Sequence, residues 1–435
     1  MADRFDLVYV RNQFPALRRT IDGRPIAYFD GPGGTQVPQS VLDATGKCLA
    51  ETNANSHGQF VTSEESDRVV HETREAVADF FNCSWDEVAF GANMTTLNLL
   101  LAQALGRGLK KGDEVVITEL DHEANRGPWL LLAERGVVVR EAPLDSATCT
   151  LDMAALEGLI TDRTRIVAIG LASNAVGTVN DVARAVAAAR AVGAITVVDA
   201  VHSAPHLPTD VRALDCDFLL CSAYKFFGPH IGVMYARRAA MERLKPLNLR
   251  AQDDRPPFKF ETGTLNNEGI AGTLAALEFI ADVGRRHGGR SDSDATGGER
   301  QTGISATNGG RHARRRALAA GMSAIDRHEQ PLAAHLIAGL REIRGVTVYG
   351  PPDGHPRTPT VAFTIAGITA SQATRSLGAR GLFLWDGHFY AMRLVERLGL
   401  MESGGLVRAG LAPYTTPEDV TRLIAAVAEI ARAIH

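Results

Sequence analysis

The chain has 435 residues, of which 45% are hydrophobic and 22% are charged, and its formal net charge is −4. This length exceeds what one hydrophobic core usually organises, so it predicts two or three domains. The small net charge favours neither a nucleic acid nor an anionic membrane as a partner. The N-terminal residues lack the apolar stretch of a secretory signal, and no later run is long enough to span a bilayer.

Cysteine usage is consistent with a reducing compartment. The cysteines are odd in number, scattered and without a C-x-x-C pair, which fits neither a disulfide framework nor a zinc site. They are Cys48, Cys83, Cys149, Cys216 and Cys221. We therefore expect a cytoplasmic protein without a metal ion, whose ligands are small molecules.

Short apolar runs alternate with helical patterns between Val88 and Tyr235. The runs EVAFG, DEVVITEL, GVVVREA, RIVAIGLAS, AITVVDAV, DFLLCSA and GVMYARR predict strands, and TTLNLLLAQALGRGL, ANRGPWLLLAERG and DVARAVAAARAVG predict helices. This alternation is typical of a largely parallel sheet covered on both faces. In such sheets the ligand lies at the carboxyl ends of the strands.

The last third of the chain has a different organisation. Residues 284–316 are rich in Gly, Ser, Thr and Arg, which predicts a disordered basic insertion. From Ala317 onward, helical and strand patterns alternate again and predict a second, smaller α/β unit. We expect an N-terminal arm (1–30), a large domain (31–275) and a small domain (276–435) that includes part of the arm.

Two chemically useful side chains follow neighbouring apolar runs. Asp199 ends AITVVD, and Lys225 follows DFLLCSAY, so each is expected at the carboxyl end of a buried strand. Pyridoxal phosphate needs an amine for a Schiff base and a carboxylate at its pyridine nitrogen. A structural salt bridge, or a helix cap at Asp199, explains the pair equally well on spacing alone.

A possible phosphate site lies in FGANMTTLNLLL, where a strand ends and a helix begins. The first backbone N–H groups of that helix and the hydroxyls of Thr95 and Thr96 form a candidate anion site. An ordinary threonine cap is an equally good interpretation of this motif.

From YFDGPGG (28–34) to its end, interrupted at 284–316, the chain resembles the class V aminotransferases. It is most similar to the cysteine desulfurase-like group of fold type I pyridoxal-phosphate enzymes. The motifs that carry the resemblance are ELDHEAN, ASNAVGT, DAVH, SAYK, ETGTLN and VRAGLAPY, in this order. The resemblance implies a mostly parallel seven-stranded sheet in a large domain, a smaller α/β C-terminal domain, and a homodimer with active sites at its interface. It also implies an amino-acid substrate.

The matching positions take their roles from this resemblance. Lys225 would form the Schiff base, Asp199 would pair with the pyridine nitrogen, and His122 would stack on the pyridine ring. Arg408 would bind the substrate α-carboxylate, a task suited to a guanidinium group. The other implied cofactor-binding residues are Asn93, Met94, Thr95, Asn174, His202, Ser222, Tyr224, Gly263 and Thr264, of which the last two would reach the partner subunit's phosphate.

Three departures from the desulfurase pattern bear on function. Tyr224 replaces the histidine before the lysine, as in kynureninase, and Asn93-Met94 begins the phosphate loop. Tyr390 occupies the position that best matches the desulfurase nucleophilic cysteine, and no cysteine follows Cys221. A phenol forms no persulfide, so desulfuration by the usual route is disfavoured unless Cys216, Cys221 or an external thiol takes its place.

The remaining chemistry starts with removal of the Cα proton by Lys225. The leading hypothesis is a desulfurase-like C–S β-lyase, and the first alternative is a class V aminotransferase. An epimerase, a kynureninase-like hydrolase and a catalytically silent binding protein remain further alternatives. The side chains that we expect to decide the outcome, unless they serve only in packing and turns, are Trp385, Asp386, His388 and Tyr390, with His57 as a second pocket candidate.

Overall fold

The computed structural model describes residues 5–287 and 304–434. The strands are β1 (Thr20–Ile21), β2 (Arg24–Pro25), β3 (Ala27–Tyr28), β4 (Val88–Gly91), β5 (Glu114–Thr118), β6 (Val138–Ala142), β7 (Leu144–Asp145), β8 (Thr150–Leu151), β9 (Thr164–Gly170), β10 (Ile195–Asp199), β11 (Phe218–Ser222), β12 (Gly232–Ala236), β13 (Val346–Tyr349), β14 (Thr360–Ile365), β15 (Leu382–Phe383), β16 (Trp385–Gly387) and β17 (Leu406–Gly410). The α-helices are α1 (Leu7–Asn12), α2 (Gln39–Glu51), α3 (Val61–Phe81), α4 (Met94–Gly106), α5 (Gly127–Leu130), α6 (Met153–Leu159), α7 (Val182–Ala191), α8 (Val211–Leu214), α9 (Arg238–Arg243), α10 (Asn267–His287), α11 (Ile304–Arg341), α12 (Ala370–Gly378), α13 (Met392–Arg397) and α14 (Pro417–Ile434).

The seven apolar runs predicted as strands form one seven-stranded sheet. Its order is β4-β12-β11-β10-β9-β5-β6, and only β12 runs antiparallel to its neighbours. Alternate residues of its strands enter different buried clusters, as Val197 and Val198 of β10 do. Both faces of the sheet are therefore buried, as the apolar runs require. The predicted fold class is confirmed.

A second sheet lies in the C-terminal part of the chain. It has four antiparallel strands in the order β13-β14-β17-β16. Apolar side chains of α11, α12 and α14 pack with it in a separate cluster. The N-terminal arm joins this unit, because β3 pairs with β15 and Asp30 forms a β-bridge with Gly410. The domain boundaries that we predict stay predictions.

The structure corrects two expectations. The predicted disorder of 284–316 is wrong for 284–287, which end α10, and for 304–316, which begin the long α11. The intervening residues 288–303 lie outside the described residues. The helix predicted at ANRGPWLLLAERG is a short α5 followed by a 3₁₀ helix, because Pro128 and Gly136 bound the segment. In the described ranges, no helix has the length and apolar character to cross a membrane.

Candidate active site

A cavity of about 1030 Å³ lies at the carboxyl ends of β9, β10 and β11. The start of α4 forms one side of this cavity, and β16, β17 and the residues between β16 and α13 form another. Most of the predicted site residues line it together. They are Asn93, Met94, Thr95, His122, Asn174, Asp199, His202, Ser222, Tyr224, Lys225, Trp385, Asp386, His388, Tyr390 and Arg408.

Lys225 lies in a short 3₁₀ helix that follows β11 directly. Its Nζ donates hydrogen bonds to the carbonyl oxygens of Pro32 and Gly33, the second at 3.0 Å. Burial and the positive charge of Arg408 lower the pKa of Lys225 to about 7, although Asp199 acts in the opposite direction. A substantial fraction of the amine is therefore neutral, and nucleophilic, near neutral pH.

Asp199 ends β10, next to β11 and its lysine. Its Oδ1 accepts a hydrogen bond from the Val201 N–H at 2.9 Å. Burial raises the pKa of Asp199 to about 7, and the nearby carboxylate of Asp121 adds to this shift. A cationic ring nitrogen beside Asp199 would oppose both effects and favour the carboxylate.

Asp121 also lines the cavity, although none of the sequence motifs singled it out. Its carboxylate accepts hydrogen bonds from the Gly170 N–H at 3.0 Å and from Asn125 Nδ2 at 2.9 Å. Burial raises the pKa of Asp121 to about 6. Its position in the sequence does indicate a site residue, because Asp121 follows β5 and so lies at the same carboxyl end of the sheet as Asp199.

His122 precedes a 3₁₀ helix and caps it. Its Nδ1 accepts the Ala124 N–H at 2.9 Å, which leaves the proton of the neutral imidazole on Nε2. Burial and the positive charges of Lys225 and Arg408 lower the pKa of His122 to about 4. An imidazole that stays neutral is suited to stacking on an aromatic ring rather than to ion pairing.

The start of α4 offers backbone donors to an anion. Asn93 caps this helix by accepting the Thr96 N–H at 2.9 Å, and the Met94 N–H donates to Ser222 Oγ at 2.9 Å. Ser222 therefore keeps its own O–H for a ligand. Thr95 lines the cavity, whereas Thr96 caps the helix with Asn93 and is not in the cavity lining.

Two polar side chains in the turns that follow β9 and β10 also line the cavity. Asn174 donates from Nδ2 to the Phe389 carbonyl oxygen at 2.8 Å, and its buried Oδ1 has no partner within the described chain. His202 is hydrogen-bonded through Nε2 to the hydroxyls of Thr358 and Thr360, at 3.0 and 2.9 Å. Burial lowers the pKa of His202, so this imidazole is neutral.

Arg408 on β17 is buried at the side of the cavity formed by the small sheet. Its Nη1 donates to the Asn174 carbonyl oxygen at 3.0 Å, and its guanidinium lies 4.2 Å from the centre of the Phe389 ring. Burial lowers the pKa of Arg408 to about 9, while the negative charge of Asp30 raises it. Arg408 Nε has no partner among the described residues, so the guanidinium retains donor capacity for a carboxylate.

The segment from His388 to Tyr390 is held in an unusual backbone conformation. Phe389 and Tyr390 have φ values of 52° and 58°, in the left-handed region that non-glycine residues rarely adopt. The Glu123 N–H donates to the Tyr390 carbonyl oxygen at 2.7 Å, and His388 Nδ1 accepts the Tyr390 N–H at 3.1 Å. Such strain is often found where backbone geometry serves a site.

Besides Thr96, three of the predicted site residues do not line the cavity of their own chain. His57 is exposed, and its backbone N–H donates to Asp67 Oδ2 at 3.0 Å. Gly263 and Thr264 are exposed in the loop before α10. Their predicted contacts with a partner subunit stay predictions.

The cavity groups fit pyridoxal phosphate chemically. The carboxylate suits the pyridine nitrogen, and the amine suits the aldehyde. The neutral imidazole suits the aromatic ring, and the helix N-terminus suits the phosphate. The orphaned Asn174 Oδ1 adds a buried acceptor that awaits a polar ligand. Lys225, Asp199 and His122 would hold the ring, and Asn93, Thr95 and Ser222 would hold the phosphate.

The chain is similar in sequence to cysteine desulfurases over almost its whole length. It is 33% identical over 440 residues to a cysteine desulfurase of Pectobacterium carotovorum, covering 97% of each protein. It is 32% identical over 443 residues to a cysteine desulfurase of Yersinia pestis, covering 98% of each protein.

Solved structures give the same result. An apo cysteine desulfurase from Thermococcus onnurineus superposes with a TM-score of 0.84 at 26% identity, covering 98% of both chains. The cysteine desulfurase CsdA from Escherichia coli superposes with a TM-score of 0.82 at 28% identity, covering 99% of this chain and 100% of the other.

The model of the class-V aminotransferase family matches residues 27–295 and 304–423. The chain therefore belongs to the class-V aminotransferase family of pyridoxal-phosphate enzymes.

Proposed function

We propose that this chain is a pyridoxal-phosphate C–S β-lyase that acts on a cysteine derivative without using a cysteine nucleophile of its own. The observation that carries the proposal is the composition of the cavity. Lys225, Asp199 and Arg408 converge there, and none of the described residues that line it is a cysteine. The catalytic groups of an amino-acid lyase are thus present without the thiol that a persulfide mechanism needs.

The cysteines of the chain do not line the cavity, and three of them are poor nucleophiles. All five are buried. Burial raises the pKa of Cys149 to about 11 and that of Cys216 to about 12, and it also raises the pKa of Cys221. Because the thiolate is the reactive form, Cys216 and Cys221 do not replace the missing nucleophile.

Each of these cavity residues would have its own role in the reaction. Arg408 binds the substrate α-carboxylate, and Asn174 holds the guanidinium in place through its carbonyl oxygen. Lys225, whose neutral amine is accessible near neutral pH, accepts the Cα proton. Pyridoxal phosphate, when bound, supplies the electron sink that makes the Cα proton acidic. Asp199 balances the positive charge of the pyridine nitrogen.

Loss of the Cα proton would be followed by elimination. The Cβ–S bond breaks, its electron pair leaves with sulfur as a thiolate, and a double bond forms between Cα and Cβ. Water then converts the remaining three-carbon fragment into pyruvate and ammonium. The whole sequence is redox-neutral and needs no thiol from the protein.

The quaternary structure and location belong to the same proposal. We propose a cytoplasmic homodimer in which Gly263 and Thr264 reach the cavity of the partner subunit. Their exposure in the single chain is consistent with this role.

Product analysis tests the proposed function. The protein loaded with cofactor is incubated with cysteine, S-methylcysteine and S-benzylcysteine, and pyruvate, ammonia, alanine and thiols are measured. We expect pyruvate, ammonia and thiol in equal amounts, and none from Lys225→Ala. Alanine would indicate desulfuration or hydrolytic cleavage. A keto acid that keeps its Cβ substituent, together with the amine form of the cofactor, would indicate an aminotransferase.

A further inference from the structure

Four large apolar side chains that line the cavity are also exposed to solvent. Leu99, Leu131, Trp385 and Tyr390 have exposed fractions of 43%, 55%, 54% and 64%. Soluble proteins seldom gather exposed apolar side chains in a concavity unless an apolar ligand or a partner surface covers them. These four residues, here called the apolar wall, share their cavity with the catalytic lysine.

Trp385 stands beside the group that binds the substrate carboxylate. It lies directly opposite Arg408 in the antiparallel pair of β16 and β17. Directly opposed residues point to the same face of a sheet, with Cβ atoms roughly 4.5–5.5 Å apart. A substrate held by Arg408 therefore has the indole as its immediate neighbour.

The backbone on the lysine side is shaped around this indole. A Cβ atom on Gly33 would lie 2.7 Å from Trp385 Nε1, so no larger residue fits there without movement. The carbonyl oxygen of Gly33 accepts a hydrogen bond from Lys225 Nζ at 3.0 Å. Trp385 thus lies against the backbone that accepts a hydrogen bond from Lys225.

Tyr390 is held by contacts with His122, Glu123 and His388. Its ring centre lies 5.3 Å from that of His122, and its backbone is held by hydrogen bonds to Glu123 and His388. A side chain that is pinned through a strained backbone, yet 64% exposed, offers a preformed aromatic surface.

The size of the cavity agrees with its lining. Its volume of about 1030 Å³ slightly exceeds the roughly 300–1,000 Å³ typical of sites for drug-sized ligands, and it includes the space that the cofactor would fill. We propose, on the basis of the lyase function above, that the substrate is a cysteine S-conjugate with an aromatic or bulky apolar group on sulfur. The apolar wall binds that group while Arg408 holds the carboxylate.

A comparison of substrates tests this inference on the cofactor-loaded protein. We expect kcat/KM for S-benzylcysteine to exceed that for S-methylcysteine and for cysteine by about tenfold or more, the scale on which hydrophobic pockets discriminate. Equal values for the three substrates would overturn the inference and leave the lyase function intact. Pyruvate from none of them would overturn the lyase function itself.

Variants of the apolar wall locate the source of the preference. Trp385→Ala and Leu131→Ala should each lower the ratio of kcat/KM for S-benzylcysteine to that for S-methylcysteine by about tenfold. The absorption of bound cofactor shows that each variant is folded. Val138→Ala, which changes an exposed apolar residue on the edge strand β6, is the control and should leave the ratio unchanged. An unchanged ratio in both wall variants would contradict the inference.

Discussion

The position of Lys225 in the fold determines the pKa of its amine. The strand that precedes it is buried throughout, so the amine lies at the carboxyl end of that strand among largely buried groups. Burial and Arg408 both favour its neutral form, whereas Asp199 and Asp30 favour its charged form. The net result, a pKa of about 7, makes the same residue usable as a nucleophile and as a base near neutral pH.

The rate at which the apo protein takes up pyridoxal phosphate should report this pKa. Because the folded pKa of Lys225 is lowered to about 7, the reactive neutral amine is abundant above that pH and is lost as the pH falls. We expect the uptake rate to rise with pH and to level off above about 7, measured by stopped-flow absorbance. A midpoint near 10 would contradict this assignment.

Arg408→Gln should move that midpoint to higher pH, because it removes a positive charge that lowers the pKa of Lys225. The matched control is Arg184→Gln, whose exposed arginine pairs with Glu157 and does not line the cavity. A midpoint that stays in place in the Arg408 variant would show that burial alone sets the pKa of Lys225.

At the scale of elements, helix α13 anchors the segment that carries His388 and Tyr390. Arg393 and Arg397 pair with the two oxygens of Glu119, at 3.2 and 3.3 Å, just beyond β5. Glu119 is only 6% exposed, so these contacts are partly shielded from solvent. The small unit is thereby held against the large sheet next to the cavity.

Arg393→Met should weaken this anchor and raise KM more than it lowers kcat. Arg393 also pairs with Glu141 and Glu396, at 3.7 and 3.2 Å. Because these ion pairs are partly exposed, their combined loss is worth about 1 kcal/mol, which corresponds to about a fivefold rise in KM. Steady-state kinetics of pyruvate release measure both constants, and Arg375→Met, an exposed arginine of α12, is the control. A fall in kcat with KM unchanged would contradict a positioning role.

The long helix α11 carries a buried acid towards the cavity floor. Glu329 Oε2 lies 2.7 Å from His206 Nδ1, and the His206 ring contacts that of His202 at 5.7 Å between centres. Burial raises the pKa of Glu329 to about 6 from the ordinary value of 4.5. Because the folded state holds the proton more tightly than the unfolded state, the stability that this group contributes at low pH is lost as the pH rises through 6.

Glu329→Gln should therefore gain stability relative to the wild type as the pH rises. The glutamine resembles the protonated carboxyl group, so the two unfolding free energies should be similar below pH 4.5, should diverge between about 4.5 and 6, and should differ by a constant amount above that. Urea titrations across this range, with Glu342→Gln as the exposed control, measure the difference. A variant that is less stable at pH 7 than at pH 5, relative to the wild type, would show that an ionised pair stabilises the fold.

For the whole molecule, the sequence was most informative where periodicity and strand ends coincide. All seven strands of the large sheet and the pair Asp199 and Lys225 follow from apolar runs and the residues after them.

Asp121 was missed because its carboxylate sits next to the more conspicuous His122. Residues 284–287 and 304–316 are helical although their glycine and arginine content predicts disorder. They belong to α10 and α11, and these two helices pack against each other. Tertiary packing overrode local propensity there.

The strained conformation at Phe389 and Tyr390 had no signal in the sequence. Neither residue favours a positive φ, and contacts with Asn174 and Glu123, both remote in the chain, maintain it. Likewise, no local pattern places Trp385 against Gly33, because that contact depends on how the N-terminal arm meets the small sheet.

Subunit complementation tests the proposed dimer. Thr264→Glu places a negative charge where the partner subunit's phosphate is expected, so it should inactivate the homodimer, as should Lys225→Ala. If Thr264 acts across the interface, a hybrid of the two variants regains one intact site and about half of the wild-type activity per dimer. A hybrid without activity, despite mixed dimers on native mass spectrometry, would place Thr264 in the site of its own chain.

The central claim, that elimination proceeds through Lys225 without a protein thiol, is tested most directly by turnover after thiol alkylation. The cofactor-loaded protein is treated with iodoacetamide under native conditions, the modified residues are identified by mass spectrometry, and pyruvate release from S-benzylcysteine is measured. We predict that the buried cysteines remain unmodified and that pyruvate release is unchanged, while Lys225→Ala releases none. Alkylation of one cysteine with a proportional loss of turnover would contradict the claim.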